Sequence, residues 1–135
     1  MIPASKKIIL IDDDEISSYI TAELIRKSQA NIILKTFMRV RDTQLFLNTC
    51  EESDFPDMII CDIKMPERDG FDFLHFYQNT IFPKRLPIPL IMMSGTINDQ
   101  EKLMLEQYSC CTSFIMKKDL QDNFLQYFKV YFPAE

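Results

Sequence analysis

The sequence predicts an α/β fold, a parallel sheet with helices on both faces. Three observations lead there. Five short apolar runs alternate with five segments of helical character along the 135 residues. Runs such as Ile8-Ile9-Leu10-Ile11 are unbroken rather than alternating, as strands buried on both faces require. Two of them run straight into acid, Ile11 into Asp12-Asp13-Asp14 and Cys61 into Asp62. Carboxylates crowded at a strand end repel one another and resist desolvation. Such a cluster persists most readily around a cation.

Lys7 to Asp12 reads as the first strand. Asp14 is placed to cap the helix that follows, which carries Ile16, Tyr19, Ile20 and Leu24 at helical spacing and ends near Ser28. Asn31 to Phe37 is the second strand. Arg41 to Glu52 is a weaker helix centred on Leu45, Phe46 and Leu47. Pro56-Asp57 breaks it and opens the third strand, Met58 to Asp62. Lys64 to Gly70 has loop composition. Phe71 to Asn79 is helical, with Phe71, Leu74 and Tyr77 or Gln78 on successive turns. Phe82 to Pro87 is a loop. Ile88 to Met93 is the fourth strand, ended by Ser94-Gly95-Thr96. Asn98 or Asp99 caps a helix reaching Tyr108. Thr112 to Met116 is the fifth strand. Asp119 is placed to cap the last helix, with Leu120, Phe124, Phe128 and Tyr131 or Phe132 on one stripe.

Length predicts one domain over residues 1–135, and 47% hydrophobic content is enough for a core. Fifteen basic residues against 20 acidic ones, a net charge of −5, exclude general binding to a nucleic-acid backbone, which needs a basic face. Cys50, Cys61, Cys110 and Cys111 lack the spacing of a metal site, and the adjacent pair is poorly placed for a structural disulfide. Reduced thiols fit a reducing compartment. No signal-peptide core precedes the first strand and no apolar stretch reaches membrane-spanning length, so the expectation is a soluble cytoplasmic protein. With two glycines in the chain, Gly70 and Gly95, each is expected to mark a backbone position that needs one.

In an open α/β sheet, ligands bind beyond the carboxyl ends of the strands near the switch point. Strand one supplies Asp12 and Asp13 there, strand three Asp62, strand four Ser94 and strand five Lys117. Strand two ends in Thr36-Phe37-Met38, which offers little chemistry. That fits a flavodoxin-like (βα)5 order of 2-1-3-4-5, with strand two at an edge. Three carboxylates, a hydroxyl and an ammonium in one mouth suit Mg²⁺ and a phosphoryl group. Phosphoryl transfer needs this kind of set, because positioning and charge neutralisation supply most of its catalysis. Asp14 alone reads as a helix cap. His75, the single histidine, lies mid-helix away from the strand ends and reads as a surface or packing residue.

The chain resembles the receiver domain of two-component response regulators along nearly its whole length, in the manner of single-domain, chemotaxis-type receivers. The marks occur in order: Asp12-Asp13, then Asp62-Ile63-Lys64-Met65-Pro66 with Asp69-Gly70, then Ser94, then Lys117. The resemblance implies that Asp62 accepts a phosphoryl group from a histidine kinase, a histidine phosphotransfer protein or a small phosphodonor. Asp13, Asp62 and the backbone carbonyl of Lys64 would bind Mg²⁺ (or Mn²⁺), with Asp12 acting through water. Ser94 would bond the phosphoryl group and Lys117 would pair with Asp62. Phe114 holds the switch-aromatic position, which turns inward when Ser94 moves. Lys64 and Thr96 flank the phosphate and tune its lifetime. Such a protein is a signalling switch and not a turnover enzyme. It acts on a downstream protein through the face of the fourth helix, fifth strand and last helix, as a monomer or a phosphorylation-dependent dimer. No output domain, nucleic acid or membrane is expected.

The chain departs from the family in two places. Lys118 stands where proline usually follows the lysine, and Tyr108-Ser109-Cys110-Cys111 replaces glycines common before the fifth strand. These departures motivate an alternative, a receiver-like binding module that does not switch with phosphate. A Mg²⁺-dependent phosphatase is a third reading, disfavoured because no cap domain is inserted. Tyr127, Phe128, Tyr131 and Phe132 exceed what one helix face buries, which raises a dimer or partner face.

Overall fold

Met58–Asp62 forms the central strand because Met58, Ile59, Ile60 and Cys61 find apolar partners on alternate sides, and all five residues are buried. A computed structural model describes residues 5–28, 31–65 and 68–133. Residues 1–4 and Pro66 of the Asp62-Ile63-Lys64-Met65-Pro66 run lie outside the described residues. The strands are β1 (Lys6–Ile11), β2 (Ile32–Phe37), β3 (Met58–Asp62), β4 (Leu90–Ser94) and β5 (Ser113–Met116). The helices are α1 (Glu15–Lys27), α2 (Val40–Thr49), α3 (Gly70–Phe76), α4 (Asp99–Glu106) and α5 (Lys117–Tyr131). The five strands are parallel in the order β2-β1-β3-β4-β5, the flavodoxin-like arrangement.

Alternate residues of each strand feed two cores. Ile9, Ile11, Ile59, Cys61 and Met92 pack with Val40, Leu47, Phe73, Leu74, Tyr77 and Leu105 from α2 to α4. Ile8, Leu10, Ile60, Ile91 and Met93 pack with Ile25, Leu120, Phe124 and Phe128 from α1 and α5. Each fully buried aliphatic side chain contributes roughly 1.5–3 kcal/mol, so the sheet centre is the rigid platform beneath the strand ends.

The structure corrects several expectations. The apolar stripe expected of α1 faces outward: Ile16 is 73% and Tyr19 66% exposed, and Ile20 and Leu24 are also exposed. Its buried side is Ile25 with the small residues Ser18, Thr21 and Ala22, which let the helix lie close to the sheet. Leu45 of α2 is likewise exposed, and Val40 takes its place in the core. After α3 the chain widens into a π-helical turn, Tyr77–Ile81, over the end of the helix expected to reach Asn79, and tightens into a 3-10 turn, Phe82–Lys84, at the start of the expected loop. Tyr77 and Ile81 are buried by that detour.

The last helix differs most. Asp119 does not cap it. The helix starts at Lys117 directly from β5, with Met116 at its N-cap and no side-chain cap bond. The surplus aromatics of α5 are largely accounted for by packing: Phe128 and Phe132 rings lie 5.1 Å apart, Lys6 sits over Phe132, and Tyr131 Oη is 3.0 Å from Ser113 Oγ. Among the described residues no helix is long and apolar enough to cross a membrane.

Candidate functional site

β1 and β3 are neighbours in register, so their acid ends are delivered to the same place. Oxygens of Asp12, Asp13 and Asp62 lie within 4.8 Å of one another. Asp12 is fully buried and Asp62 nearly so, whereas Asp13 is half-buried. Asp14 points away and accepts from the Ser17 N–H at 3.0 Å, the expected cap.

Lys117, the first residue of α5 just past β5, closes the group. Its Nζ donates to Asp62 Oδ2 at 2.9 Å and to Asp12 Oδ2 at 3.1 Å. Asp12 Oδ1 accepts from the Asp14 N–H at 3.0 Å, so both its oxygens are engaged. Asp62 Oδ1 faces the Lys64 N–H at 3.3 Å. Three carboxylates thus face one ammonium, and the excess is negative. Burial pushes the Asp62 carboxyl above the usual carboxylate range, against the hydrogen bond and charge of Lys117. Burial also raises Asp13, reinforced by the charges of Asp12 and Asp14. Burial works against the Lys117 ammonium, but its bond to Asp62 and the Asp12 charge outweigh that and raise its pKa. The donor set is all oxygen and partly unneutralised, which fits a hard divalent cation.

Ser94 ends β4 one step beyond the register partner of Asp62. It is buried, and its Oγ accepts from the Thr96 N–H at 3.4 Å. Lys64 reaches sideways at the mouth: its Nζ donates to Thr96 Oγ1 at 2.7 Å and lies 3.9 Å from Glu101 of α4. Glu101 also completes a capping box with Asn98, so Lys64 is tied to the start of α4. Phe114 on β5 is half-buried against the core on the α2–α4 side.

Gly70 supports the site from below. A Cβ on it would stand 2.6 Å from the Asp62 carbonyl oxygen, 2.7 Å from Ile63 Cα and 2.8 Å from Met92 Cε. Asp69 fixes that approach by capping α3 through a box with Asp72. Gly95 meets nothing within 4 Å and has no left-handed φ, so the expectation of a backbone requirement fails there. Cys61 beside the site is fully buried, its thiol pushed well up by burial and by the nearby Asp62 and Asp12 charges. That leaves it inert packing. All four cysteines are free, and His75 is an exposed surface residue. Sequence reasoning missed Glu101, whose link to Lys64 spans 37 positions and leaves no local signal.

Fold and site together define a doubly wound α/β protein with a cation-ready acidic pocket at its strand ends. More particularly, the chain belongs to the response regulator receiver domain family, whose model matches residues 8–127. Members of that family are signalling switches. Among curated proteins, the chain is 29% identical over 97 residues to the 3',5'-cyclic-nucleotide phosphodiesterase regA of Dictyostelium discoideum, covering 72% of this chain and 12% of that protein. It is 25% identical over 104 residues to the two-component response regulator ORR22 of Oryza sativa, covering 77% of this chain and 13% of the relative. The chain thus spans a small fraction of these relatives. Among solved structures, the phosphorylated cyanobacterial phytochrome response regulator RcpA superposes with a TM-score of 0.82 at 19% identity, covering 98% of this chain and 97% of that one. The Mn²⁺-bound form of response regulator Rcp1 gives 0.74 at 21% identity, covering 94% of each. At these identities the likeness concerns the fold.

Proposed function

We propose that this chain is a phosphorylatable receiver, one domain over residues 1–135, acting in the cytoplasmic arm of a two-component or phosphorelay system. The observation that carries the reading is Lys117 bridging Asp62 and Asp12 beside Asp13. A structural ion pair does not need a third, uncompensated carboxylate.

Asp62 is the acceptor. One of its oxygens attacks phosphorus of a donor phosphohistidine, the P–N bond breaks, and its electron pair returns to the imidazole nitrogen, which takes up a proton. Asp13, Asp62 and the Lys64 carbonyl would hold Mg²⁺ or Mn²⁺. Asp12, with both oxygens occupied, suits a contact through water. The cation supplies neutralisation of charge on the phosphoryl oxygens. Lys117 holds Asp62 in place and offers a positive charge to the product, and Ser94 Oγ donates to a phosphoryl oxygen by giving up its contact to the Thr96 N–H. That movement leaves room for Phe114 to turn inward and alters the face of α4, β5 and α5, where a downstream protein binds.

A histidine kinase or histidine phosphotransfer protein is the donor. Any such protein must cover the mouth, and the exposed Ile16, Tyr19, Ile20 and Leu24 begin at its rim. Mass spectrometry after incubation with a small phosphodonor and Mg²⁺ tests the reading. One phosphoryl adduct is expected, lost in Asp62→Asn. An adduct that survives that change would overturn it.

The alternative is a phosphate-independent binding module, favoured by the direct passage of β5 into an uncapped α5. Beryllofluoride titration followed by NMR separates the two: shifts at Ser94 and Phe114 belong to the switch alone.

A further inference from the structure

We propose that α5 is hinged at Asn123, so that its first segment, Lys117–Asp122, re-seats as a unit when the charge on Asp62 changes and carries that change to α1 through the Gln121–Thr21 bond. The inference rests on Asp62 being the phosphoryl acceptor.

The first segment is a poor helix by itself. It has no side-chain cap, and Lys117 and Lys118 open it, placing two cations at the positive end of the helix dipole. Asp119 offsets part of that. Three tertiary ties hold the segment. Lys117 is bound to Asp62 and Asp12, Leu120 is buried against the sheet, and Gln121 Nε2 donates to Thr21 Oγ1 of α1 at 2.9 Å. The first tie is therefore conditional on the state of the acidic pocket.

At Asn123 the helix breaks, with φ −131° and ψ 27°. The Asn123 side-chain amide donates to the Asp119 carbonyl at 3.3 Å, the acceptor that a regular helix reserves for the backbone N–H of residue 123. Asparagine favours such a break because its side chain competes with the backbone. Beyond it Phe124 and Phe128 are buried, with rings 5.8 Å apart, and Tyr131 reaches Ser113. The second segment is anchored to the sheet, independently of the pocket. A groove at the break, lined by Leu24, Lys27, Asp122 and Leu125, gives the first segment room to turn against α1.

Phosphorylation replaces the Asp62 carboxylate by a bulkier dianionic group, so Lys117 must follow its partner. With a straight helix the buried phenylalanines would resist. With a break at Asn123 only the first segment moves, and Thr21 on the buried side of α1 feels it through Gln121. α1 then becomes a second readout of the phosphorylation state.

The test uses beryllofluoride and Mg²⁺ on the whole chain. ¹⁹F NMR reports occupancy of Asp62, and residual dipolar couplings report the orientation of backbone amides. In the loaded wild type, amides of Lys118–Asp122 are expected to reorient against those of Phe124–Tyr131, and Thr21 and Gln121 side-chain signals to shift. Asn123→Ala should keep the ¹⁹F signal and lose the reorientation. Gln121→Leu should keep both and lose the Thr21 shift. A loaded wild type whose two segments fit one unchanged orientation overturns the hinge and leaves the acceptor assignment standing. Absence of the ¹⁹F signal overturns both.

Discussion

Lys117 Nζ donates to Asp62 Oδ2 at 2.9 Å while the same ammonium holds Asp12 Oδ2 at 3.1 Å. One cation at the start of α5 thus serves carboxylates from the ends of two strands. Lys117→Met removes it and leaves the acids uncompensated. Phosphorylation of Asp62 by a small donor should slow by about 10²-fold, the usual cost of losing one preorganised charge donor. Mg²⁺ should bind more tightly, because its competitor is gone. Lys117→Arg should not restore the rate, since a planar fork does not fit a point-charge site. Time courses of adduct formation and calorimetric Mg²⁺ titration check both. Unchanged Mg²⁺ affinity would contradict the competition.

The raised pKa values of Asp62 and Asp13 have a definite sign. A carboxyl whose folded pKa exceeds its unfolded value, 3.8 here, favours the neutral form in the fold. In metal-free protein these two groups therefore cost stability at neutral pH, and that cost fades as pH falls through their raised values. A divalent cation needs the ionised forms, so its stabilisation should shrink over the same acid range. Asp13→Asn should raise the metal-free Tm at neutral pH by roughly 2–4 °C and remove the response to Mg²⁺. Melting curves with and without Mg²⁺ across pH decide this. A Mg²⁺ effect constant down to acid pH would refute it.

Lys64 Nζ reaches Thr96 Oγ1 and approaches Glu101, so its side chain lies at the mouth of the acidic pocket. On the proposed reading, a cation there would hinder the approach of water and steady the charge on a phosphoryl group. Lys64→Ala should shorten the aspartyl-phosphate half-life by about 3–10-fold, a modest share of what a full electrostatic donor provides. Stability should hardly change, because the Lys64–Glu101 contact is long and Lys64 is exposed. Decay of the adduct after donor removal gives the answer, and a longer half-life would reverse the assignment.

The β3 boundaries and the acid ends were readable because an unbroken apolar run has few other uses, and because Asp12, Asp62 and Lys117 recur at the ends of the first, third and fifth strands. The face of α1 was not. Periodicity located an apolar stripe, but Ser18, Thr21 and Ala22 pack against the sheet and the stripe looks outward. Small polar residues can be the buried ones wherever helix and sheet lie close. The start of α5 failed for another reason. Asp119 has the chemistry of a cap, yet Lys117 is pinned by acids from two strands and starts the helix earlier. Tertiary electrostatics overrode local capping, and no window of sequence contains that information.

Gly70 is required by packing and not by φ. Any Cβ there meets backbone atoms of Asp62 and Ile63 at 2.6 and 2.7 Å, which cannot swing aside as a side-chain tip can. Gly70→Ala should cost about 1–3 kcal/mol through overpacking. It should also displace the acceptor strand end, lowering the adduct rate by more than the stability loss explains. Denaturant unfolding and adduct formation in conditions where the variant is folded separate these effects. A destabilised variant with normal adduct kinetics would confine Gly70 to the core.

The outward stripe of α1 predicts a variant that divides the two kinds of phosphodonor. Ile20 is exposed, and neighbouring Tyr19 and Ile16 extend the apolar surface toward Asp13. A small donor is expected to enter the mouth without touching this face, whereas a protein carrying a phosphohistidine is expected to lie against it. Replacing Tyr19 and Ile20 together by serine alters exposed positions, so stability should stay within about 0.5 kcal/mol per site. Loading by a small phosphodonor should be unchanged. Transfer from a histidine-bearing donor protein should fall by at least about 10-fold, as expected when central apolar contacts of an interface are truncated. Parallel time courses with the two donors make the comparison. Equal loss with both donors would mean that the substitutions damage the site itself. No loss with either would move the donor's contact to another side of the mouth.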